Sequence, residues 1–216
     1  MHSMKRSAVV LAAGLSTLAG FVDATGFLHL KGTFVSFMSG NSTQLAVALA
    51  RLEWRTAGQL AFIVLIFVLG TISGTVVGRS VPPKQHVIVI LGFVVLLLAL
   101  ASLSSVFGHP HLVIMFMILA MGVENAVFQR DGEIVVGLTY MTGTLVKVGH
   151  KIANALMGDA PWAWIPYLCL WLGLIAGGTL GALSFAAFGL NGLGLAVAWA
   201  AGLTLYAWLA RVELPE

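Results

Sequence analysis

The sequence contains very little charge. Only 9% of its 216 residues are Asp, Glu, Lys or Arg, whereas 59% are hydrophobic, and the mean hydropathy is +1.00. Soluble domains carry about 25% charged residues, so this chain has too few to cover a surface that faces water. Apolar runs at 61–77 and 87–103 approach the roughly 18–20 residues that cross about 30 Å of hydrocarbon. The composition predicts an all-α integral membrane protein whose principal partner is the lipid bilayer.

Cysteine is almost absent as well. The single residue, Cys169, lies in an apolar run, which excludes a disulfide framework. We find no Cys-His spacing typical of zinc sites and no glycine-rich loop that would bind phosphate. No nucleophile-elbow motif surrounds any serine. We therefore predict no metal, no cofactor and no enzymatic activity.

The small excess of basic residues does not indicate nucleic-acid binding. The net charge is +3, but Lys5, Arg6, Arg79, Lys84 and Arg211 flank hydrophobic segments, as topology signals do. Counting these charges places the N-terminus in the cytoplasm. We therefore predict a multi-pass protein with no nucleic-acid partner.

An internal repeat is the most informative pattern. Three motifs occur twice in the same order, at offsets of 102 or 103 residues. The pairs are 20–24 with 122–126, 37–41 with 140–144, and 69–78 with 172–181. Three ordered matches at nearly one spacing indicate duplication, so we divide the single membrane domain into a first repeat, 1–108, and a second repeat, 109–216.

Each repeat is predicted to contain four segments of matching character. The second segment of each repeat is shorter and polar, and the third carries a ridge of glycines. The predicted pairs are 7–29 and 110–129, 34–51 and 135–156, 56–79 and 162–187, and 85–107 and 190–210.

The number of membrane crossings depends on the second segments. If 34–51 and 135–156 are short or broken, the bundle has six full spans and the repeats are inverted. If both cross, it has eight spans in two parallel four-helix repeats. The polar residues Lys147, His150 and Lys151 favour the six-span arrangement.

Two acids lie inside predicted spans. Asp23 and Glu124 occupy neighbouring columns of the repeated motif, with Asn125 aligned to Asp23. Because an ionisable group at membrane depth costs several kcal/mol, it is a functional candidate by default. We predict a proton or cation site here, against the alternative that these acids only hydrogen-bond neighbouring helices.

Glycine and small hydroxyl residues interrupt the second segment of both repeats. Such interruptions at equivalent positions are typical of a transporter's midplane site, although close helix packing favours the same residues. The predicted solute-binding residues are Ser39, Gly40, Asn41, Thr142, Gly143 and Thr144.

Two further patterns concern surfaces. Glycines spaced by four residues form a flat ridge on each third helix, at Gly70, Gly74 and Gly78 and at Gly173, Gly177 and Gly181. We expect these ridges to join either the repeats or two subunits of a homodimer, although six helices can also act alone. Lys147, Lys151 and Asn154 share one face, predicted to reach the interface or an aqueous vestibule.

These motifs resemble the YoaK-like (UPF0700 type) family of bacterial inner-membrane proteins, which is defined by a domain of unknown function. The resemblance covers nearly the whole chain, and the paired motifs around Asp23, Asn41 and Thr144 carry it. Ser39 stands where the family typically has threonine, and Glu124 where it typically has glutamine. The resemblance implies about six helices in a bacterial inner membrane and no established substrate.

Together these patterns predict a small secondary transporter. It would move a small neutral or cationic solute, coupled to protons or another cation, at a site between the repeats. The main alternative is a membrane-interaction protein that transports nothing, in which partners would enclose Asp23. A channel or an intramembrane enzyme is less favoured.

Overall fold

The computed structural model describes residues 6–130, 133–134 and 140–212. In these residues it contains eight α-helices, one 3-10 turn and a ladder of two very short antiparallel strands. The elements are α1 (Arg6–His29), α2 (Met38–Ala50), α3 (Trp54–Arg79), α4 (Pro83–Val106), α5 (Pro110–Glu124), β1 (Gln129–Arg130), β2 (Glu133–Ile134), α6 (Met141–Leu156), α7 (Ile165–Phe188), the 3-10 turn Gly189–Gly192, and α8 (Leu193–Leu209).

Four stretches are long and apolar enough to cross a membrane. They are α1, α3, α4 and Ile165–Leu209, the last of which contains α7, the 3-10 turn and α8. The apolar helix α5 has only 15 residues, about 22 Å at 1.5 Å per residue. The prediction of an all-α membrane protein is confirmed.

The predicted helix ends agree with the structure where the chain itself marks them. Proline occupies the first turn of α4, α5 and α7, where its missing N–H costs no hydrogen bond. The prediction of one helix over 110–129 is wrong, since α5 ends at Glu124 and 125–128 form turns. Residues 34–37 precede α2 as a loop, and 135–139 of the predicted segment 135–156 lie outside the described residues.

The core lies mainly between α1, α4 and α5. These three helices supply most of the side chains that are completely enclosed, because aliphatic residues recur along the faces that meet. Fully buried members include Leu11, Leu15, Leu18, Ile90, Leu91, Leu98, Met117, Ile118, Met121 and Phe128.

The glycine ridge of α7 packs along α1. A Cβ added at Gly177 would overlap the carbonyl group of Thr17, and one at Gly181 would overlap that of Phe21. Because residue numbers rise together along both helices, α1 and α7 run parallel. The backbones approach so closely that only glycine fits at these positions.

The ridge of α3 packs along α5 in the same manner. A Cβ at Gly70 would lie 2.5 Å from the carbonyl oxygen of Leu119, and one at Gly74 would lie 3.1 Å from the Cα of Val123. Helices α3 and α5 therefore run parallel to each other. Both ridges are occupied within one chain, which agrees with the first of the two predicted alternatives, contact between the repeats. A homodimer stays a prediction and needs another surface.

Helix α8 runs antiparallel to both α1 and α4. The Trp199 indole donates to the carbonyl oxygen of Gly14 at 3.0 Å, and the Tyr206 hydroxyl donates to that of Ser7 at 3.3 Å. At the other end of α8, the Ser105 hydroxyl donates to Asn191 Oδ1 at 2.8 Å. Consequently α4 has the direction of α1.

These contacts fix the direction of α5 relative to α1. Helices α3 and α4 form a hairpin, in which a Cβ at Gly78 would meet the ring of His86, so α3 runs opposite to α4. Since α5 has the same direction as α3, and α1 has the same direction as α4, α1 and α5 are antiparallel. The first helix of each half packs on the third helix of the other half, α1 on α7 and α5 on α3, while α2 packs on α3 and α6 packs on α7.

Candidate functional site

The carboxylate of Asp23 holds the loop between α1 and α2. Its Oδ1 accepts hydrogen bonds from the amides of Val35 at 2.8 Å and Ser36 at 2.7 Å. Hydrogen bonds from several donors stabilise a negative charge away from bulk water, and here every donor belongs to the same loop.

Asn41 holds the same loop from the other side. Its side-chain amide pairs with both backbone groups of Phe34: Oδ1 accepts from the amide at 3.0 Å and Nδ2 donates to the carbonyl oxygen at 2.7 Å. The Asn41 side chain is completely buried. Gln44 adds a bond from Nε2 to the carbonyl oxygen of Gly32 at 3.0 Å. Asp23 and Asn41 therefore both bind backbone groups of the same loop, Asp23 at 35–36 and Asn41 at 34.

The loop can reach Asp23 because the end of α1 reverses the chain sharply. Lys31 and Gly32 both have positive φ, 52° and 113°, and the Gly32 amide donates to the carbonyl oxygen of Phe27 at 2.9 Å. Val35 then packs where Gly26 has no side chain, since a Cβ there would lie 2.5 Å from Val35 Cγ1. A small residue at 26 thus lets the loop pack beside α1, before α2 reverses the direction of the chain.

The second half places its acid, Glu124, one position before Asn125, the residue that aligns with Asp23. Glu124 is the last residue of α5, is completely buried, and has no hydrogen-bond partner for either carboxyl oxygen among the described residues. The neighbouring Asn125 is also buried, and its Nδ2 donates to the carbonyl oxygen of Met121 at 2.9 Å. The two acids of the repeated motif therefore have opposite environments.

His86, in α4, connects that helix to α3 and to the turn after α5. Its Nδ1 lies 3.0 Å from the carbonyl oxygen of Gly78 in α3, and its Nε2 lies 2.8 Å from that of Ala126, just after α5. Its side chain is buried. Sequence reasoning missed this residue; the only signal is a histidine in the first turn of an otherwise apolar helix. A neutral imidazole donates to one of these two carbonyl oxygens, and the end of a helix leaves such groups without intrahelical partners.

The short helix α6 begins inside the bundle. The hydroxyl of Ser16, about midway along α1, donates to the carbonyl oxygen of Leu170 at 2.8 Å and lies 3.9 Å from Met141 Sδ. Met141 is the first residue of α6. Helix α2 likewise begins just after the loop that Asp23 holds. Both short helices therefore start at depth in the protein and lead outward.

The remaining predicted residues are less central. Ser39, Thr142 and Gly143 are exposed, so they do not lie in the core between Asp23 and Glu124. Gly40 lies against the ring of Phe37, and the buried Thr144 donates to the carbonyl oxygen of Tyr140 at 3.1 Å. Among the residues that the structure describes, no group of three His, Cys, Asp or Glu side chains is placed to hold a metal ion.

Comparison with known proteins identifies the family. The family described as "Protein of unknown function (DUF1275)" matches residues 11–206. The chain belongs to this family. It is 38% identical over 180 residues to the UPF0700 transmembrane protein RA0705 of Rhizobium meliloti (strain 1021), covering 82% of this chain and 77% of that protein. The predicted resemblance to the YoaK-like family is confirmed.

A more distant relative is the UPF0700 transmembrane protein YoaK of Bacillus subtilis (strain 168). It is 26% identical over 148 residues, which cover 66% of each chain. No solved structure matches this chain. The names of both relatives support a multi-pass membrane protein and assign no activity.

Proposed function

We propose that this protein is a small secondary carrier built from two inverted repeats. The observation that carries this proposal is the antiparallel direction of α1 and α5, the helices that hold the repeated Asp23 and Glu124 motifs. Inverted repeats with broken helices at their interface are the architecture in which a carrier exposes one site alternately to two compartments.

The packing supports the inverted duplication. Exchanging each element of the first half with its counterpart in the second converts α1–α7 packing into α5–α3 packing, and α2–α3 packing into α6–α7 packing. Contacts between α4 and α8, and between α1 and α5, are retained by the same exchange. Helices α1, α3, α4, α5, α7 and α8 would then be the six crossings, with α2 and α6 as partial helices that enter from opposite faces.

Glu124 is the group that we assign to coupling. A completely buried carboxyl group without hydrogen-bond donors is costly to charge, and a metal cation would need several oxygen ligands around it. Neither oxygen of Glu124 has a hydrogen-bond partner among the described residues, and in the same part of the chain no group of three His, Cys, Asp or Glu side chains is placed to hold a metal ion. Binding and releasing a proton needs no such ligands, so the proposed coupling ion is H⁺. The cargo is a small neutral or cationic solute.

Asp23 takes a different role in this proposal. Since its carboxylate is occupied by the amides of Val35 and Ser36, it serves as the positioning residue for the 30–37 loop and the start of α2. A movement of this loop would open one side of the bundle. This replaces the prediction that Asp23 itself binds the cation.

The charge distribution supports a bacterial inner-membrane orientation with the N-terminus in the cytoplasm. In a six-span arrangement, one end of the bundle carries only three basic residues of the described chain: Lys31, Arg51 and Arg55. The other end carries Arg6, Arg79, Lys84, Arg130, Lys147, Lys151 and Arg211. The more basic end faces the cytoplasm by the positive-inside rule.

Solute-dependent proton flux in proteoliposomes tests the function. The panel contains small amines, amino acids and neutral metabolites, and the variants are Glu124→Gln and, as a matched control, Glu53→Gln, whose acid is exposed. We expect one solute to drive proton movement in the parent and the control but not in Glu124→Gln. Solute movement without protons, or flux that survives Glu124→Gln, would contradict the proposed coupling.

One observation favours a second candidate function, a membrane-interaction protein that transports nothing. Such a protein needs Asp23 enclosed by partners, and the loop amides do enclose one of its oxygens. Glu124, whose carboxyl oxygens have no hydrogen-bond partner among the described residues, has no role in that alternative. The interaction-protein alternative would be favoured if no solute drove flux and if Glu124→Gln matched the parent in stability and in binding to its membrane partners.

A further inference from the structure

The corner between α6 and α7 contains a cavity that the proposed transport does not use. It has a volume of about 380 Å³ and is lined by Lys151, Pro161, Trp162, Pro166 and Tyr167, among others. The Lys147 ammonium group lies 5.8 Å from the centre of the Tyr167 ring. Lys151 therefore lines the hollow, and Lys147, one helical turn earlier, lies over the ring of Tyr167, which also lines it.

The charge of this corner is predominantly positive. Lys147, His150 and Lys151 belong to α6, and the one acid of the adjoining connection, Asp159, is exposed. Because α7 runs parallel to α1 and begins here, the corner lies at the end of the bundle that also carries Arg6 and Arg79. An anion approaching this end meets cations from several helices.

The surroundings of the cavity are apolar and exposed. Trp162 is 68% exposed, and further along α7, nearer the middle of the bundle, Leu172 and Ile175 are 49% and 50% exposed. The Trp162 and Trp164 rings lie 6.4 Å apart. Exposed tryptophans next to lysines are typical of the headgroup level of a membrane. A ligand in this hollow would therefore present an anionic group to the lysines and hydrocarbon to Leu172 and Ile175.

We propose that the α6–α7 corner binds the phosphate group of an anionic phospholipid. Lys147 and Lys151 contact the phosphate, Trp162 and Tyr167 flank the glycerol region, and the acyl chains lie along the exposed apolar residues Leu172 and Ile175 of α7. A free phosphate ion satisfies the lysines alone, whereas a phospholipid satisfies both parts of the surface. Binding at this corner holds α6 against α7.

Titration of the detergent-solubilised protein tests this proposal. Dioctanoyl phosphatidylglycerol, dioctanoyl phosphatidylcholine and inorganic phosphate are added separately, and the melting temperature is followed for each. We expect phosphatidylglycerol alone to raise it in a saturable way. A similar rise with phosphatidylcholine would overturn the requirement for negative charge, and a similar rise with phosphate would overturn the assignment to a lipid.

Charge variants locate the effect. In Lys147→Gln/Lys151→Gln the stems remain, and we expect roughly 20- to 30-fold weaker binding of phosphatidylglycerol, from the loss of two lysines at a membrane surface. The matched control Arg51→Gln/Arg55→Gln removes two exposed basic residues elsewhere and should bind as the parent does. If the double lysine variant melts early without lipid, Lys151→Gln alone replaces it. Parent-like binding in the lysine variant would overturn the site.

Discussion

The amide nitrogen of Ser36 lies 2.7 Å from Oδ1 of Asp23, although 13 residues separate them in the chain. The amide of Val35 shares the same acceptor at 2.8 Å. An acid within a membrane-spanning helix thus stabilises a loop that folds back into the protein. Loops are tolerated at membrane depth only where protein encloses their polar groups, and Asp23 provides that enclosure for the start of α2.

Replacing Asp23 with alanine should destabilise the protein. The buried amides of Val35 and Ser36 would lose a charged acceptor, which costs about 1–3 kcal/mol for each group left without a partner. Thermal unfolding in detergent measures the change, and Ser39→Ala, at an exposed position of the neighbouring helix, is the control. An unchanged unfolding temperature in Asp23→Ala would contradict the positioning role.

Asn41→Asp distinguishes shape from hydrogen bonding. The new side chain has nearly the same volume, but it cannot donate to the carbonyl oxygen of Phe34 as Nδ2 of Asn41 does. We expect a loss of at least about 1–3 kcal/mol, because a buried donor becomes a buried acceptor. Asn154→Asp changes the same groups at an exposed position and should leave unfolding unchanged. Equal behaviour of the two variants would refute the assignment.

The contact between α1 and α7 predicts a contrast between two glycines. A Cβ at Gly177 would overlap the carbonyl group of Thr17, whereas a Cβ at Gly149 has nothing within 4 Å. Gly177→Ala must separate two helices and should cost at least about 1–3 kcal/mol. Gly149→Ala should be neutral or slightly stabilising, since alanine is the better helix former. If both variants expressed and unfolded alike, the helices could not be as close as described.

The sequence predicts most helices because their limits are local. Apolar runs of membrane length end at charged residues or prolines, such as Arg6, Arg79 and Pro83, and both kinds of residue act on the chain nearby. The glycine ridges were also recognisable from spacing alone, because residues four apart share a helix face. The helix that each ridge contacts was not recognisable, since spacing does not determine which surface a ridge packs against.

The site was less predictable because its contacts are distant in sequence. No residue near Glu124 would by itself end the helix, and the apolar residues of this segment continue to Phe128. Helix α5 nevertheless ends at Glu124, and the carbonyl oxygen of Ala126 lies next to His86 Nε2. Likewise, the sequence shows that Asp23 is an unusual acid within a membrane span, but it does not show that amides of the 30–37 loop donate to its carboxylate. Both outcomes depend on tertiary contacts, which override local helix propensity.

The inverted arrangement has a direct test in the sidedness of three loops. Cys169 is the only cysteine, so Cys169→Ser provides a background for single cysteines at Ala50, Ser80 and Met157, all exposed positions. Each variant is treated in intact cells and in permeabilised cells with a thiol reagent that does not cross membranes. The labelled fraction reports which side of the membrane each position faces.

Six spans with inverted repeats predict that only Ala50→Cys is labelled in intact cells, whereas Ser80→Cys and Met157→Cys react after permeabilisation. Eight spans with parallel repeats and a cytoplasmic N-terminus predict the reverse for the first two positions, with Ser80→Cys outside and Ala50→Cys inside. Labelling of Ala50→Cys alone would support the inverted repeats from which the carrier function is inferred. Labelling of Ser80→Cys in intact cells, with Ala50→Cys protected, would contradict them.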